Sequence, residues 1–207
     1  GSSKEVCIND GSTNFTCAAI DASTDDSFSA DLGDIDGVGD LDLVIPNRDQ
    51  ADEICTNDGL GVFSCSDIAS IPATYRSDQA NFEDLDNDGD LDIYIITGIV
   101  FSTNYNQECI NDGLGNFTCS NSEVQMWASA FASGDLDNDG DIDIARTTNT
   151  SSAGGLEWSS NDGNGNFGIF TTIPNSMTQP YGLQVVDVDN DNNLDIITIS
   201  KDDNKVL

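Results

Sequence analysis

The chain contains 207 residues, of which 38 are Asp or Glu and only 6 are Lys or Arg, so its formal net charge is −32 at pH 7. A surface of this sign repels nucleic acid and anionic lipid, so neither is expected as a partner, and the lack of a long apolar stretch argues against membrane insertion. The sequence has no histidine, which removes the most common general base of enzymes.

The first predicted element is a β-hairpin whose turn is Asn-Asp-Gly, in the segment VCINDGSTNFTC at 6–17. Asn-Asp-Gly between two short apolar segments favours a tight hairpin turn, because such turns need positive φ angles. The pattern recurs at 54–65, 109–119 and 159–169. Six residues after each Asn stands a phenylalanine that is expected to anchor the core: Phe15, Phe63, Phe117 and Phe167.

Cysteines stand at both ends of the first three hairpins, and in the fourth both positions change together, to Ser159 and Ile169. Joint presence and joint loss predict local disulfide bonds, whereas zinc is disfavoured because the spacing matches no common ligand pattern. Disulfide bonds at this density indicate an oxidising compartment, so a secreted protein, extracellular or at the cell surface, is expected. The predicted pairs are Cys7 with Cys17, Cys55 with Cys65, and Cys109 with Cys119.

Each hairpin is followed by an acidic loop, and the four loops start at residues 34, 84, 135 and 187. Carboxylates at alternate positions repel each other by roughly 3 kcal/mol per pair unless water or a cation screens them. Oxygen ligands at positions 1, 3, 5, 7 and 9, with a sharp bend at position 6, are typical of calcium-binding loops. The predicted metal ligands are Asp34, Asp36, Asp40, Asp42, Asp84, Asp86, Asp88, Asp90, Asp92, Asp135, Asp137, Asp139, Asp141, Asp143, Asp187, Asp189, Asp191, Asn193 and Asp195, with position 7 offering its backbone carbonyl.

Two loops depart from this pattern. Val38 replaces the ligand at position 5 of the first loop, which is therefore expected to bind most weakly, and Asn192 replaces the glycine at position 6 of the last. Asparagine tolerates the left-handed conformation that this bend requires. An EF-hand is excluded because position 12 is never Glu and each loop is followed by a β-branched segment that predicts a strand rather than a helix.

The loops DLDNDGDLDI at 84–93 and DLDNDGDIDI at 135–144 resemble FG-GAP/VCBS repeats, the calcium-binding blades of integrin alpha-like β-propellers. The resemblance implies an all-β fold of tandem blades of about 50 residues that stack on their neighbours. It also implies about four Ca²⁺ ions with a structural role, one per repeat. The chain departs from the family in lacking a Gly-Ala-Pro segment and in carrying hairpin cysteines.

The whole chain, 1–207, is interpreted as a single repeat array. The hairpin starts divide it into repeats at 5–52, 53–106, 107–156 and 157–207. Propellers of this family usually have seven blades, so four repeats leave three arrangements open. They could close into a small ring, form part of a larger propeller, or stack between copies into a fibril.

No nucleophile elbow or phosphate-binding glycine loop occurs, and the acids that can be placed belong to the loops. The sequence therefore predicts a non-catalytic calcium-binding module with a structural or adhesive role. The alternative is a carbohydrate-binding (lectin-like) or ligand-receptor propeller, with glycans as partners and aromatic residues as the sugar platform: Tyr75, Tyr105, Trp127 and Tyr181. Three sequons predict a glycoprotein modified at Asn14, Asn116 and Asn149.

Overall fold

The computed structural model describes residues 4–69, 71–97, 105–122, 128–148, 155–174, 177 and 180–200. All regular structure in these residues is β, which confirms the all-β fold class. In these same ranges there is no helix with the length and apolarity needed to cross a bilayer. The strands are β1 (Glu5–Asn9), β2 (Phe15–Ala19), β3 (Asp31–Gly33), β4 (Asp42–Ile45), β5 (Glu53–Asn57), β6 (Phe63–Asp67), β7 (Ser77–Glu83), β8 (Asp92–Thr97), β9 (Gln107–Asn111), β10 (Phe117–Asn121), β11 (Ala128–Gly134), β12 (Asp143–Thr148), β13 (Gly155–Ser159), β14 (Thr171–Ile173), β15 (Pro180–Val186) and β16 (Asp195–Ser200).

The strands form three four-stranded antiparallel sheets and two separate strand pairs. Sheet A is β3-β4-β5-β6, sheet B is β7-β8-β9-β10 and sheet C is β11-β12-β13-β14. Before them lies the N-terminal hairpin, β1–β2, and after them the C-terminal strand pair, β15–β16. The short strands predicted after the acidic loops are present as β4, β8, β12 and β16.

Each complete sheet is assembled from two consecutive repeats. Its first two strands flank an acidic loop, and its last two strands belong to the hairpin of the following repeat. The repeat boundaries at 52/53 and 106/107 therefore fall between the second and third strands of sheets A and B. Neighbouring repeats are consequently joined by backbone hydrogen bonds as well as by side-chain packing.

The three predicted disulfide bonds are present, each between directly opposed residues of a hairpin. Their Cα atoms are 4.0, 3.9 and 3.9 Å apart. In the fourth hairpin Ser159 instead donates a hydrogen bond of 2.8 Å from its hydroxyl to the carbonyl of Gly168. The chain thus closes this hairpin by a hydrogen bond where the covalent bond is missing.

The apolar core lies between successive sheets. One cluster, between sheets A and B, includes Val44 and Ile93, and a second, between sheets B and C, includes Tyr94 and Phe131. The rings of Tyr94 and Phe131 lie 5.2 Å apart in a tilted arrangement, which is favourable for aromatic pairs. Consecutive sheets also meet through their first strands, β3 with β7 and β7 with β11.

The hairpin phenylalanines test the prediction of core anchors. Phe63, Phe117 and Phe167 pack against the buried clusters, as predicted. The prediction is wrong for Phe15, which is 62% exposed. The N-terminal hairpin has no flanking strand pair among the described residues, so the surface on which this ring would pack is missing there.

Candidate metal centres

The acidic loops share one backbone conformation. In the second loop the chain adopts positive φ at position 4, Asn87 (59°), and at position 6, Gly89 (96°). In the fourth loop Asn192 takes the glycine position with φ of 69°, which confirms that asparagine can replace glycine at this bend. The left-handed Asn at position 4 was not predicted from sequence.

In every loop, carboxylate oxygens from positions 1, 3 and 9 lie within 4.8 Å of one another. The loop therefore brings three of the predicted ligands to one point although the like charges oppose this. The four clusters are Asp34, Asp36 and Asp42; Asp84, Asp86 and Asp92; Asp135, Asp137 and Asp143; and Asp187, Asp189 and Asp195.

The predicted ligands at positions 5 and 7 lie outside these clusters. At position 5, Asp88 accepts a hydrogen bond of 3.0 Å from the backbone N–H of Asp90, and Asp139 does the same for Asp141. At position 7, the carboxylate of Asp90 lies against the hairpin glycine Gly113 of the same sheet. Asp40 and Asp141 occupy the same place beside Gly59 and Gly163. The contribution of both positions to metal binding stays a prediction.

The aspartate at position 9 also connects the loop to the next hairpin. Asp92 is fully buried, and its carboxylate accepts the backbone N–H of Leu85 at 2.9 Å and that of Asn111 at 2.7 Å. Asp42 and Asp143 make the same two bonds. For Asp195, which is exposed, the bonds found among the described residues are reduced to the loop bond, from Val188 at 3.0 Å. The position-9 carboxylate is therefore a structural bridge as well as a candidate ligand.

Among the residues that the structure describes, no basic side chain pairs with the clusters. None of the ion pairs in the described part of the chain involves a loop carboxylate. Burial, together with the nearby charges of Asp86 and Asp88, raises the pKa of Asp92 to about 6, although two backbone hydrogen bonds oppose the shift. Burial raises the pKa of Asp42 and Asp143 as well. A cation at the cluster would oppose these shifts and lower the pKa values again, since an opposite charge favours the ionised carboxylate.

Unpartnered buried oxygens indicate that these residues fit a cation. At position 1, Oδ2 of Asp34 and Asp84 accepts the N–H of the position-6 glycine, but Oδ1 of each is buried and has no hydrogen-bond partner. Buried polar atoms are normally satisfied, so each such atom calls for an explanation. Carboxylate oxygens converging on one point are suited to a hard divalent cation such as Ca²⁺.

Two of the hairpin Asn residues, Asn111 and Asn161, connect the loops of successive sheets, a role that sequence reasoning missed. Asn111 is 3% exposed, and its Nδ2 donates to the carbonyls of Leu91 in its own sheet, at 3.0 Å, and of Ile35 in sheet A, at 2.8 Å. Asn161 repeats this arrangement one sheet later. The sequence signal for this role was the recurrence of Asn before Asp-Gly. The requirements of the hairpin turn already explained that recurrence, so no contact with a neighbouring sheet was inferred from it.

The predicted glycosylation and sugar-platform residues are dispersed. Asn14 and Asn116 are exposed beside their hairpin turns, where the side-chain amide of each donates to a neighbouring aspartate. Tyr181 is 61% exposed, whereas Tyr75 packs against the core cluster between sheets A and B. Tyr105 is partly buried. The remaining predictions, Asn149 and Trp127, lie outside the described residues.

The family model for FG-GAP-like repeats matches residues 34–95 and 135–198. The chain belongs to the FG-GAP-like repeat family. Each matched segment contains two acidic loops and most or all of the strands that follow them. This confirms the family that the loop sequences resemble.

Comparison with curated protein sequences gave no match. Among solved structures, the FG-GAP-like chain is similar to an Agrocybe aegerita lectin that recognises non-reducing terminal N-acetylglucosamine, with a TM-score of 0.65 and 18% identity. The alignment covers 94% of this chain and 55% of the lectin chain. The chain thus spans about half the length of the lectin, and at this identity the likeness concerns the fold.

Proposed function

We propose that this FG-GAP-like array is a non-catalytic, calcium-dependent structural module of an extracellular protein. The observation that carries the proposal is the buried, unpartnered Oδ1 of Asp34 and of Asp84, two residues that each belong to a three-carboxylate cluster. Four such clusters would take about four Ca²⁺ ions, one per loop, with a weaker site at Val38. The repeats would then form a propeller-type array held rigid by calcium and disulfide bonds.

Calcium in this scheme acts on stability. The ion would be held by the carboxylates at positions 1, 3 and 9 and would neutralise charges that otherwise repel. The position-9 bridge ties the loop to the next hairpin, so binding would stabilise a whole sheet. An ion that binds only the folded state adds about 2.7 kcal/mol per site at a hundredfold excess over its Kd.

Two variants test the assignment. Asp84→Asn removes a central carboxylate and is expected to lower the calcium stoichiometry by about one in isothermal titration calorimetry. Asp67→Asn removes an exposed charge outside the clusters and should leave the stoichiometry unchanged. Equal stoichiometry in both variants, or a melting temperature of the wild type that chelator does not change, would contradict the proposal.

The first loop offers a gain-of-function test. Val38 is 69% exposed at position 5, so Val38→Asp adds a carboxylate without disturbing the core. The variant is expected to bind calcium more tightly at the first site and to be less stable than the wild type in chelator, since a further like charge is then unscreened. No change in either measurement would argue against a site in this loop.

Absence of catalysis and an extracellular location are part of the same proposal. The three disulfide bonds use all six cysteines, which suits an oxidising compartment. Intact mass spectrometry of native material would detect hexose at the predicted sequons. Material that carries no added mass would remove glycosylation from the proposal.

A second candidate function is glycan binding. It is favoured by the fold shared with an N-acetylglucosamine-recognising lectin and by the exposed ring of Tyr181. A glycan array that includes N-acetylglucosamine-terminated chains tests this function. A specific signal that Tyr181→Ala abolishes would favour the lectin, whereas a purely structural module gives no specific signal.

A further inference from the structure

The two ends of the described array are complementary halves of one sheet. The C-terminal strand pair has the strands that flank an acidic loop, and the N-terminal hairpin has the disulfide-closed outer strands. Within the described residues, neither β16 nor β1 has a second strand beside it. In sheets A, B and C the corresponding strands, β4 with β5, β8 with β9 and β12 with β13, pair with each other.

Burial shows what the missing partner would cover. Every residue of β4, β8 and β12 is buried, but in β16 only Thr198 and Ser200 are. Val188, at position 2 of the last loop, is 56% exposed, whereas its counterpart Leu85 is 0% exposed. At the other end, Ile8 and Phe15 are 48% and 62% exposed. Val188 at one end and Phe15 at the other are thus more exposed than their counterparts in sheet B, Leu85 and Phe117.

The complete sheets fix a single register for the missing pairing. In all of them the residue after the position-9 aspartate lies opposite the first hairpin cysteine or its replacement, as in Leu43 with Cys55 and Ile93 with Cys109. Applied to the two ends, this places Ile196 opposite Cys7. Val6 then falls opposite Ile197, and Glu5 opposite Thr198.

The backbone of β1 is oriented for this pairing. The Cα atoms of Cys7 and Cys17 are 4.0 Å apart, the spacing of an antiparallel pair whose backbone groups do not bond each other. The N–H and C=O of Cys7 therefore point away from β2, towards the outer edge of β1. The same holds for Glu5, two residues along the strand.

The side chains that complete each sheet are also present at the ends. In sheets A, B and C the position-9 carboxylate accepts the N–H of the hairpin Asn. In sheets B and C that Asn also bridges two loops through Nδ2. Asp195 and Asn9 are the residues at these positions in the two halves, and both are exposed. Their meeting would re-form the carboxylate-to-Asn hydrogen bond found in sheets A, B and C.

We propose that β16 of one chain pairs with β1 of a second copy in the register Ile196 to Cys7, which completes a fourth sheet across a head-to-tail interface. A second copy is the occupant because its hairpin carries Asn9 and the cysteine pair at the required positions. In one chain the two halves form separate sheets. The contact uses different surfaces on the two copies, so it propagates into a filament or closes into a ring of copies. It does not depend on bound calcium.

Cysteine cross-linking tests the register. Ile197→Cys and Val6→Cys are purified separately and mixed under mild oxidation; directly opposed residues of a non-bonded pair can form a disulfide bond. A dimer of the two variants on a non-reducing gel is expected. Ile197→Cys mixed with Ala18→Cys is the control, because Ala18 lies opposite Val6 on β2, one strand farther away. Equal yields in the two mixtures would overturn the proposal.

A variant that carries both Ile197→Cys and Val6→Cys in one chain distinguishes pairing between copies from pairing within a single chain. Cross-linked multimers support pairing between copies. A cross-linked monomer of higher mobility would mean that the chain closes on itself, and would also overturn the proposal.

An edge-blocking variant tests the interface without added cysteines. Glu5→Pro removes an N–H that points to the outer edge of β1, and Ala19→Pro does the same on the opposite edge of the hairpin, away from the proposed contact. Light scattering at rising protein concentration, in physiological salt with calcium and in high salt with chelator, is expected to show association of the wild type and of Ala19→Pro. Glu5→Pro should weaken association by about tenfold. A wild type that stays monomeric in both buffers, or equal association of both proline variants, would refute the interface.

Discussion

Asp52 is a buried carboxylate in sheet A, whereas an uncharged asparagine occupies the equivalent position of sheet B. Its side chain is 0% exposed, and its carboxylate accepts the N–H of Asn47 and the hydroxyl of Ser77, both at 2.7 Å. Burial, with a smaller effect from the adjacent charge of Glu53, raises the pKa of Asp52 to about 6. At the equivalent position of sheet B, Asn106 accepts the corresponding N–H, from Thr97, at 3.1 Å. Asp52→Asn should therefore remove the charge and keep the bond from Asn47, while its Nδ2 donates to the hydroxyl oxygen of Ser77.

The expected gain follows from the pKa. The difference between about 6 and the ordinary value of 3.8 corresponds to roughly 3 kcal/mol, an upper estimate for Asp52→Asn. Because the folded state binds the proton more tightly, the free energy of unfolding falls as pH rises from about 4 to about 6, and the full cost is present above that window. The variant should be more stable than the wild type near pH 7 and about equal near pH 4.

Urea unfolding at a series of pH values, with calcium held constant, gives the difference between variant and wild type at each pH. This difference isolates Asp52, since the acidic loops titrate equally in both proteins. The reciprocal change, Asn106→Asp, is the matched control and should destabilise the protein near pH 7 but much less near pH 4. A difference for Asp52→Asn that does not change with pH, or a loss of stability near pH 7, would refute the reasoning.

Three further predictions concern the hairpins. Asn111→Ala leaves the carbonyls of Ile35 and Leu91 without this donor and should cost about 1–3 kcal/mol in urea unfolding. Asn9→Ala, in the exposed hairpin, should cost far less, and equal losses would contradict the bridging role. Gly113→Ala places a side chain at φ of +76° and against the Asp90 carboxylate, whereas Gly11→Ala places one at φ of +80° but in open space. Gly113→Ala should therefore lower the melting temperature more than Gly11→Ala. A similar shift in both variants would argue against the contact with Asp90. Reduction and alkylation of the three disulfide bonds should lower the free energy of unfolding by about 2.5–3 kcal/mol per bond, and an unchanged urea midpoint would show that the hairpins are held by other contacts.

The sequence predicted those features whose chemistry is local and recurs from repeat to repeat. The spacing of aspartates and cysteines predicted the loops, the strands after them and the disulfide pairs, because turn geometry and side-chain pairing act over about ten residues. Which strands share a sheet was not predicted, because the alternation of apolar and polar residues identifies a strand but not the strand beside it. The contact of Asn111 with Ile35 spans 76 residues, and no local pattern distinguishes it from a turn. The exposure of Phe15 depends in the same way on which strands lie beside it.

Because each sheet takes one half from each of two consecutive repeats, the array is insensitive to how many units it contains. Removing 53–106 would join β4 to β9, and Leu43 would then face Cys109 as it now faces Cys55. The hybrid sheet would keep its covalent closure and its aspartate bridge. Gene duplication and deletion can therefore lengthen or shorten such a protein without the invention of a new junction.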